Sequence, residues 1–179
     1  MSEESLMMAV KQGELKRASE LFEQYHLQLF NFFAKISSDR DLAHDLTQNV
    51  FLRLIKFRHT YREDMRFKPW IYQIARNVFA DHYRKNKVQK NENIDIDTVG
   101  EQLEEVDESI AKNEQERILY LSLDRLKPED KEILVMSKFQ KMKYEEISEV
   151  LDTSVAAIKV KVHRAIKRLQ KHYFELEKI

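Results

Sequence analysis

The sequence predicts an all-α protein: two small helical domains joined by an acidic linker. Three observations carry that expectation. The 179 residues include only two glycines, Gly13 and Gly100, and two prolines, Pro69 and Pro128, amid abundant Leu, Lys, Glu and Gln. Few turn residues and many good helix formers favour helices over sheets. No stretch sustains the period-two alternation of a half-buried strand, whereas apolar residues recur at three- and four-residue spacing in several segments. The formal charge is zero overall but uneven: residues 1–91 sum to +5, 92–116 to −9 and 117–179 to +4. Two basic segments thus flank an acidic one, and each segment meets its own partner.

Four helices are expected before the linker. The first covers about Glu4–Gln12, with Gly13 suited to its C-terminal cap. The second, Glu14–Ile36, places Leu21, Phe22, Tyr25, Leu29, Phe32 and Phe33 on one buried stripe. Ser38 is a candidate cap for the third, with Asp41 in the first turn where the helix dipole favours an anion, and the helix reaches about Phe57. Pro69 is expected to open the fourth, which runs to about Lys87, at a position that needs no N–H.

The segment from Asn91 to Glu116 holds ten acids and one lysine, too little apolar surface for a core. The expected division is therefore 1–91, a linker at 92–113, and 114–179. About four helices follow: Glu114–Leu126, Pro128–Phe139, Lys143–Leu151 and Val155–Leu176.

Several functions are excluded by composition. The chain has no cysteine, which removes disulfides, thiolate zinc sites and a cysteine nucleophile. None of the six histidines sits in a metal-ligand motif, and no glycine-rich phosphate loop exists. No converging set of groups marks a catalytic site, so no enzyme activity, metal or cofactor is expected. The acidic opening Met1-Ser2-Glu3-Glu4 precedes only a short apolar run; neither a signal peptide nor a membrane span is expected, and the location expected is cytoplasmic.

The last two helices have the layout of a helix-turn-helix. Ile147, Val150 and Leu151 face inward, Asp152-Thr153-Ser154 makes a tight turn, and Ser154 caps a helix starting Val155-Ala156-Ala157-Ile158. Ile158, Val162, Ala165, Ile166 and Leu169 form its inner stripe. The other face carries Lys159, Lys161, His163, Arg164, Lys167, Arg168 and Lys171, and no acid occurs from Thr153 to Phe174. Small residues at the helix start with cations beyond them suit entry into a DNA major groove.

The third helix has two faces. Leu42, Ala43, Leu46, Val50, Leu54 and Phe57 share the inner one. Asp41, Asp45, Gln48, Asn49, Leu52 and Lys56 fall within about 100° of arc on the other. A polar patch around a leucine suits docking on another protein, and an ordinary solvent face with one stray leucine fits the pattern as well. From Arg53 to Lys90, eleven Lys or Arg and three acids accompany Tyr61, Phe67, Trp70, Tyr72, Phe79 and Tyr83. Rings among cations are what single-stranded nucleic acid needs. The same spacing of Trp70, Ile71, Ile74, Val78 and Phe79 also describes a helix core.

These strings resemble a known family. Asp41-Leu42-Ala43-His44-Asp45-Leu46-Thr47-Gln48-Asn49-Val50-Phe51-Leu52 is similar to the polymerase-binding helix of region 2 in extracytoplasmic-function sigma factors of the sigma-70 family. Phe67-Lys68-Pro69-Trp70-Ile71-Tyr72-Gln73-Ile74-Ala75-Arg76-Asn77 resembles the family's −10 recognition segment, and Leu126–Leu169 resembles region 4, which reads the −35 element. The resemblance implies an initiation factor that binds bacterial core RNA polymerase and promoter DNA. Asp41, Asp45, Gln48, Asn49 and Leu52 would grip the polymerase clamp. The loop Tyr61–Phe67, with Arg62 and Arg66, would capture an extruded base, Asn77 would contact the −10 element, and Arg76, Tyr83, Arg84 and Lys85 would hold phosphates. Lys159, Val160 and His163 would face −35 bases, with Lys161, Arg164 and Lys167 beside them on the DNA. A membrane-bound anti-sigma partner is the family's usual inhibitor, and the acidic linker would thread a basic polymerase channel. Asn49 stands where the family often has glutamate, Lys159 where arginine is common, and Val160 where a polar residue is frequent. A helix-turn-helix regulator that works without polymerase would explain the second domain but not the first.

Overall fold

The computed structural model describes residues 1–92 and 113–179. Among them the chain is helical throughout, with no strand. The first lobe holds α1 (Glu3–Lys11), α2 (Arg17–Ser37), α3 (Arg40–Lys56) and α4 (Phe67–Glu92), with a short 3₁₀ turn at Arg58–Thr60. The second holds α5 (Glu114–Asp124), α6 (Pro128–Leu134), α7 (Tyr144–Leu151) and α8 (Val155–Glu177). The linker expectations, including its passage through polymerase, fall mostly on residues 93–112, outside the described residues.

The helix starts follow from their caps. Ser2 Oγ accepts from the Ser5 N–H at 3.2 Å to open α1, and Glu3 and Glu4 occupy its first turn. Gly13, just past α1, has φ +108°, a conformation that L side chains rarely adopt. The cap of α3 differs from expectation. Ser38 is left-handed at φ 55° and closes α2, its N–H donating to Ala34 O at 2.9 Å. Asp39, in extended conformation, caps α3 by accepting from the Leu42 N–H at 2.9 Å. The Ser38 hydroxyl donates instead to Asp124 of the second lobe at 2.8 Å.

Two further boundaries move. The second helix starts at Arg17, because residues 13–16 are spent on tight turns. The fourth starts at Phe67, two residues before Pro69, which still lies in the first turn where its lacking N–H is harmless. Beyond Leu134 the helix expected to continue to Phe139 widens into π turns over Val135–Phe139, closed by Gln140 N–H donating to Val135 O at 2.9 Å.

The first lobe packs Leu21, Leu29, Phe32 and Phe33 of α2 against Leu46, Val50 and Leu54 of α3 and Trp70, Ile71, Tyr72 and Ile74 of α4. Phe32 meets Tyr72 edge to face at 5.4 Å between ring centres. Each such fully buried side chain contributes about 1.5–3 kcal/mol. Phe22, expected in this stripe, is a correction: it is 37% exposed, stacked on His26 at the surface with its edge on Phe51. Phe57, placed on the inner face of α3, is likewise exposed, at the helix end where the chain turns away.

The second lobe buries Leu123, Ile133, Leu134, Met142, Ile147, Val150, Ile158, Val162 and Ala165. Its apolar core is continuous with that of the first lobe. Contact runs along two seams, α4 against α7 and α2 against α6 and the π turns.

Candidate nucleic-acid and polymerase interfaces

The turn between α7 and α8 is built by Asp152, whose left-handed φ of 49° ends α7, and by Ser154, whose Oγ accepts from the Ala157 N–H at 3.1 Å. Aspartate tolerates that conformation better than most residues. Ile158, Val162 and Ala165 then lock α8 onto the lobe, and the opposite face is turned outward. Lys159, Val160, Lys161, His163, Arg164 and Lys167 are all exposed, Val160 at 47%. Arg168, one turn further on, is held by Asp130 at 2.6 Å and braces α8 against α6. Among the described residues the cations ahead of it have no ion-pair partner, and they form a positive strip with a single apolar residue near its start, a layout that suits a groove-entering helix.

On α3 the residues Asp41, Asp45, Gln48, Asn49 and Leu52 all face out. Leu52 is 69% exposed among polar neighbours. A shallow cleft between α3 and α4 runs beside them, bordered by Asp45, Asn49, Arg53, Asp81 and Lys85. Arg53 spans it, donating from Nη1 to Asp81 at 2.7 Å and from Nε to Asn49 Oδ1 at 3.2 Å. The Asp81 carboxyl is held below the usual carboxylate range, chiefly by that Arg53 hydrogen bond, with Arg84 and Lys85 adding attraction. Arg53 was not singled out from the sequence; the i+4 spacing from Asn49 was the available signal.

The loop before α4 is tied down from behind. Tyr61 and Phe67 are fully buried, and the Tyr61 hydroxyl donates to Met65 O at 2.8 Å. Burial pushes the Tyr61 phenol up to about 12, with Glu4 and Glu3 contributing. Glu4 of α1 accepts from the Phe67 N–H at 3.3 Å, and Lys11 donates to Tyr61 O. Both rings, expected to meet a base, are instead the frame of the loop: Tyr61 meets Trp70 and Phe67 edge to face, and Phe67 lies tilted against Trp70 in the core. What the loop offers outward is Arg62, Glu63, Asp64 and Arg66, with Arg62 paired to Asp64 at 3.0 Å.

Further along α4, Asn77, Tyr83, Arg84 and Lys85 are exposed, and Arg84 leans toward Asp81 at 3.4 Å. Arg66 and Arg76 are engaged by the second lobe. Arg76 grips Glu132 through both Nε and Nη2, the latter at 3.3 Å, and Arg66 Nε donates to Glu149 at 3.0 Å. Lys68 and Gln73, which carry no expected contact of their own, join them at Glu146 and at the Glu149 carbonyl. Among the described residues no group of His, Asp or Glu is placed to hold a metal, and no helix is long and apolar enough to cross a membrane.

The fold and these faces define a class: a two-lobed helical protein with a helix-turn-helix and a second, cation- and aromatic-rich lobe. Comparison with known proteins narrows it. The model for Sigma-70 region 2 matches residues 21–88, and that for Sigma-70, region 4 matches residues 116–169. The chain is 30% identical over 155 residues to the ECF RNA polymerase sigma factor SigM of Bacillus subtilis, covering 86% of this chain and 93% of that protein. It is 29% identical over 174 residues to the RNA polymerase sigma factor CarQ of Myxococcus xanthus, covering 96% and 97%. CnrH, solved with the cytosolic domain of CnrY, superposes with a TM-score of 0.71 at 18% identity over 94% of this chain and 95% of that one. RpoE of Bartonella quintana, solved with the anti-sigma factor NepR, gives a TM-score of 0.65 at 23% identity over 86% and 94%. The chain belongs to the sigma-70 family, in its extracytoplasmic-function branch. It is therefore an RNA polymerase sigma factor, a transcription initiation factor rather than an enzyme.

Proposed function

We propose that three faces divide the work of initiation. Asp41, Asp45, Gln48, Asn49 and Leu52 dock α3 on core polymerase, with Leu52 as the apolar anchor and Arg53 holding Asn49 in place. Lys159, Val160 and His163 read the −35 duplex while Lys161, Arg164 and Lys167 neutralise its phosphates. Arg62, Arg66, Arg76, Asn77, Tyr83, Arg84 and Lys85 hold the −10 strand, with Tyr61 and Phe67 acting from inside as the frame of the loop. The units at work are residues 1–91 and 114–179, acting in the cytoplasm, where bacterial polymerase is.

The observation that carries this reading is the exposed Leu52 patch on the same lobe as the cationic α4. A regulator working without polymerase has no use for it. An inhibitory anti-sigma partner covering both lobes belongs to the same proposal and would be a membrane-bound protein; RpoE of Bartonella quintana was solved in complex with an anti-sigma factor, NepR. The test is reconstitution with core polymerase and selection of bound fragments from a promoter library. Enriched fragments with two elements at fixed separation are expected; fragments with a single element, recovered equally well without polymerase, would refute the division of labour.

A further inference from the structure

Both ends of the loop before α4 are held by α1, a helix that precedes the stretch matched by the region 2 model. Glu4 and Lys11 stand seven positions apart in α1, so about two helical turns bring them onto one face, roughly 10 Å apart along the axis. That face meets the loop. Lys11 Nζ donates to the Tyr61 carbonyl at 2.5 Å, where the loop begins, and Glu4 Oε1 accepts from the Phe67 N–H at 3.3 Å, where it ends. The Phe67 N–H is the first of α4 and has no carbonyl within its own helix to bind. Arg66, the residue before it, carries donors only and cannot cap it. Glu4 therefore supplies, from another helix, the acceptor and the negative charge that the start of α4 favours. Leu6, Met7 and Val10 are buried, so α1 is itself fixed to the core. A further tie, from the Tyr25 hydroxyl to Glu3 at 2.6 Å, engages α2 rather than the loop.

We propose that Glu4 and Lys11 are positioning residues for base capture: α1 sets the shape of the loop that presents Arg62 and Arg66, and so decides how sharply one base is preferred at the −10 position the loop takes. The inference rests on the assignment of that loop to the −10 strand. Neither residue touches DNA; each acts through the loop backbone. The Tyr61 hydroxyl adds an internal strut to Met65 O at 2.8 Å, so start, middle and end of the loop are each fixed. A loop already in its binding shape loses little freedom on meeting a base, whereas a loose one must be ordered first and can adapt to several.

The test uses reconstituted holoenzyme and fork DNA carrying the −10 element of a selected promoter, with each of the four bases placed at each unpaired position in turn. Wild-type protein is expected to prefer one base at one position, and Arg62→Ala with Arg66→Ala to lose that preference. Glu4→Ala with Lys11→Met should reduce the same preference by about three- to tenfold, read as the ratio of affinities for the best and worst base. Helical circular dichroism, −35 duplex binding and preferences at the other −10 positions should stay as in wild type, and either single variant should show part of the loss. Glu4→Gln with Lys11→Arg keeps an acceptor and a donor and should retain the preference. Tyr25→Phe removes the tie to α2, keeps the ring that meets Phe67, and should lower thermal stability without moving the preference. Full preference in Glu4→Ala with Lys11→Met, or an equal loss in Tyr25→Phe, would overturn the inference and leave the −10 assignment standing. Full preference in the Arg62→Ala, Arg66→Ala variant would overturn the −10 assignment, and the inference with it.

Discussion

The two faces proposed to meet DNA are built from the same chemistry and stand in opposite states. On α8 the cations from Lys159 to Lys167 lie in a stretch without acids, from Thr153 to Phe174, and project to solvent. On α4 and the loop before it, Arg66, Lys68 and Arg76 are matched one for one by glutamates of the other lobe. Cation content therefore says little about availability. What separates the faces is where the acids of α6 and α7 are turned: Asp130 takes Arg168, beyond the strip on α8, whereas Glu132, Glu146 and Glu149 lie against α4 and the loop before it.

The strongest way to break that contrast acts on neither face. Asp45→Lys with Leu52→Lys should weaken holoenzyme assembly by at least about a hundredfold, since central anchors at interfaces are each worth about 2 kcal/mol or more. Co-purification with core polymerase reads it, and duplex binding by α8 should persist. On the open face, Lys159→Ala should relax preference at one −35 position by about 1 kcal/mol in competition binding. Lys161→Ala should instead weaken all duplexes alike, lowering the salt slope by about 1 in a titration. On the covered face, Arg76→Ala should leave binding by the free chain within about twofold, since Glu132 already occupies that side chain, and should impair promoter melting by holoenzyme, read by permanganate reactivity. The smallest effect is Tyr72→Phe, which removes the hydroxyl bond to Gln140 and should cost the contact between the lobes about 0.5–1.5 kcal/mol, seen as a lower denaturant midpoint.

Much of the architecture was legible because it is local. Helix-turn-helix chemistry is written in consecutive residues: Asp152 in a left-handed turn, Ser154 as cap, and behind it a helix with no acid before Glu175. The α3 patch follows from helical periodicity, and Leu52 is as exposed as that periodicity requires. Adjacent capping candidates were harder. Ser38 and Asp39 both qualify by type, and the assignment turns on which adopts extended backbone, set by how α2 ends. Tyr61 and Phe67 illustrate a second limit. Aromatic residues among arginines suit a base platform or a core, and only the long-range ties from Glu4 and Lys11 decide for the core. Phe22 fails the other way: a stripe wider than its partner helices leaves its edge at the surface. The closure of the lobes was the least legible, because Arg76 and Glu132 are 56 positions apart and either would be well solvated alone.

Footprinting of one selected promoter, with and without core polymerase, addresses the contrast most directly. The protein alone at low salt should protect the −35 duplex and leave the −10 strand untouched; with polymerase, both should be protected. Protection of an unpaired −10 strand by the free protein, at the same concentration that covers −35, would contradict it.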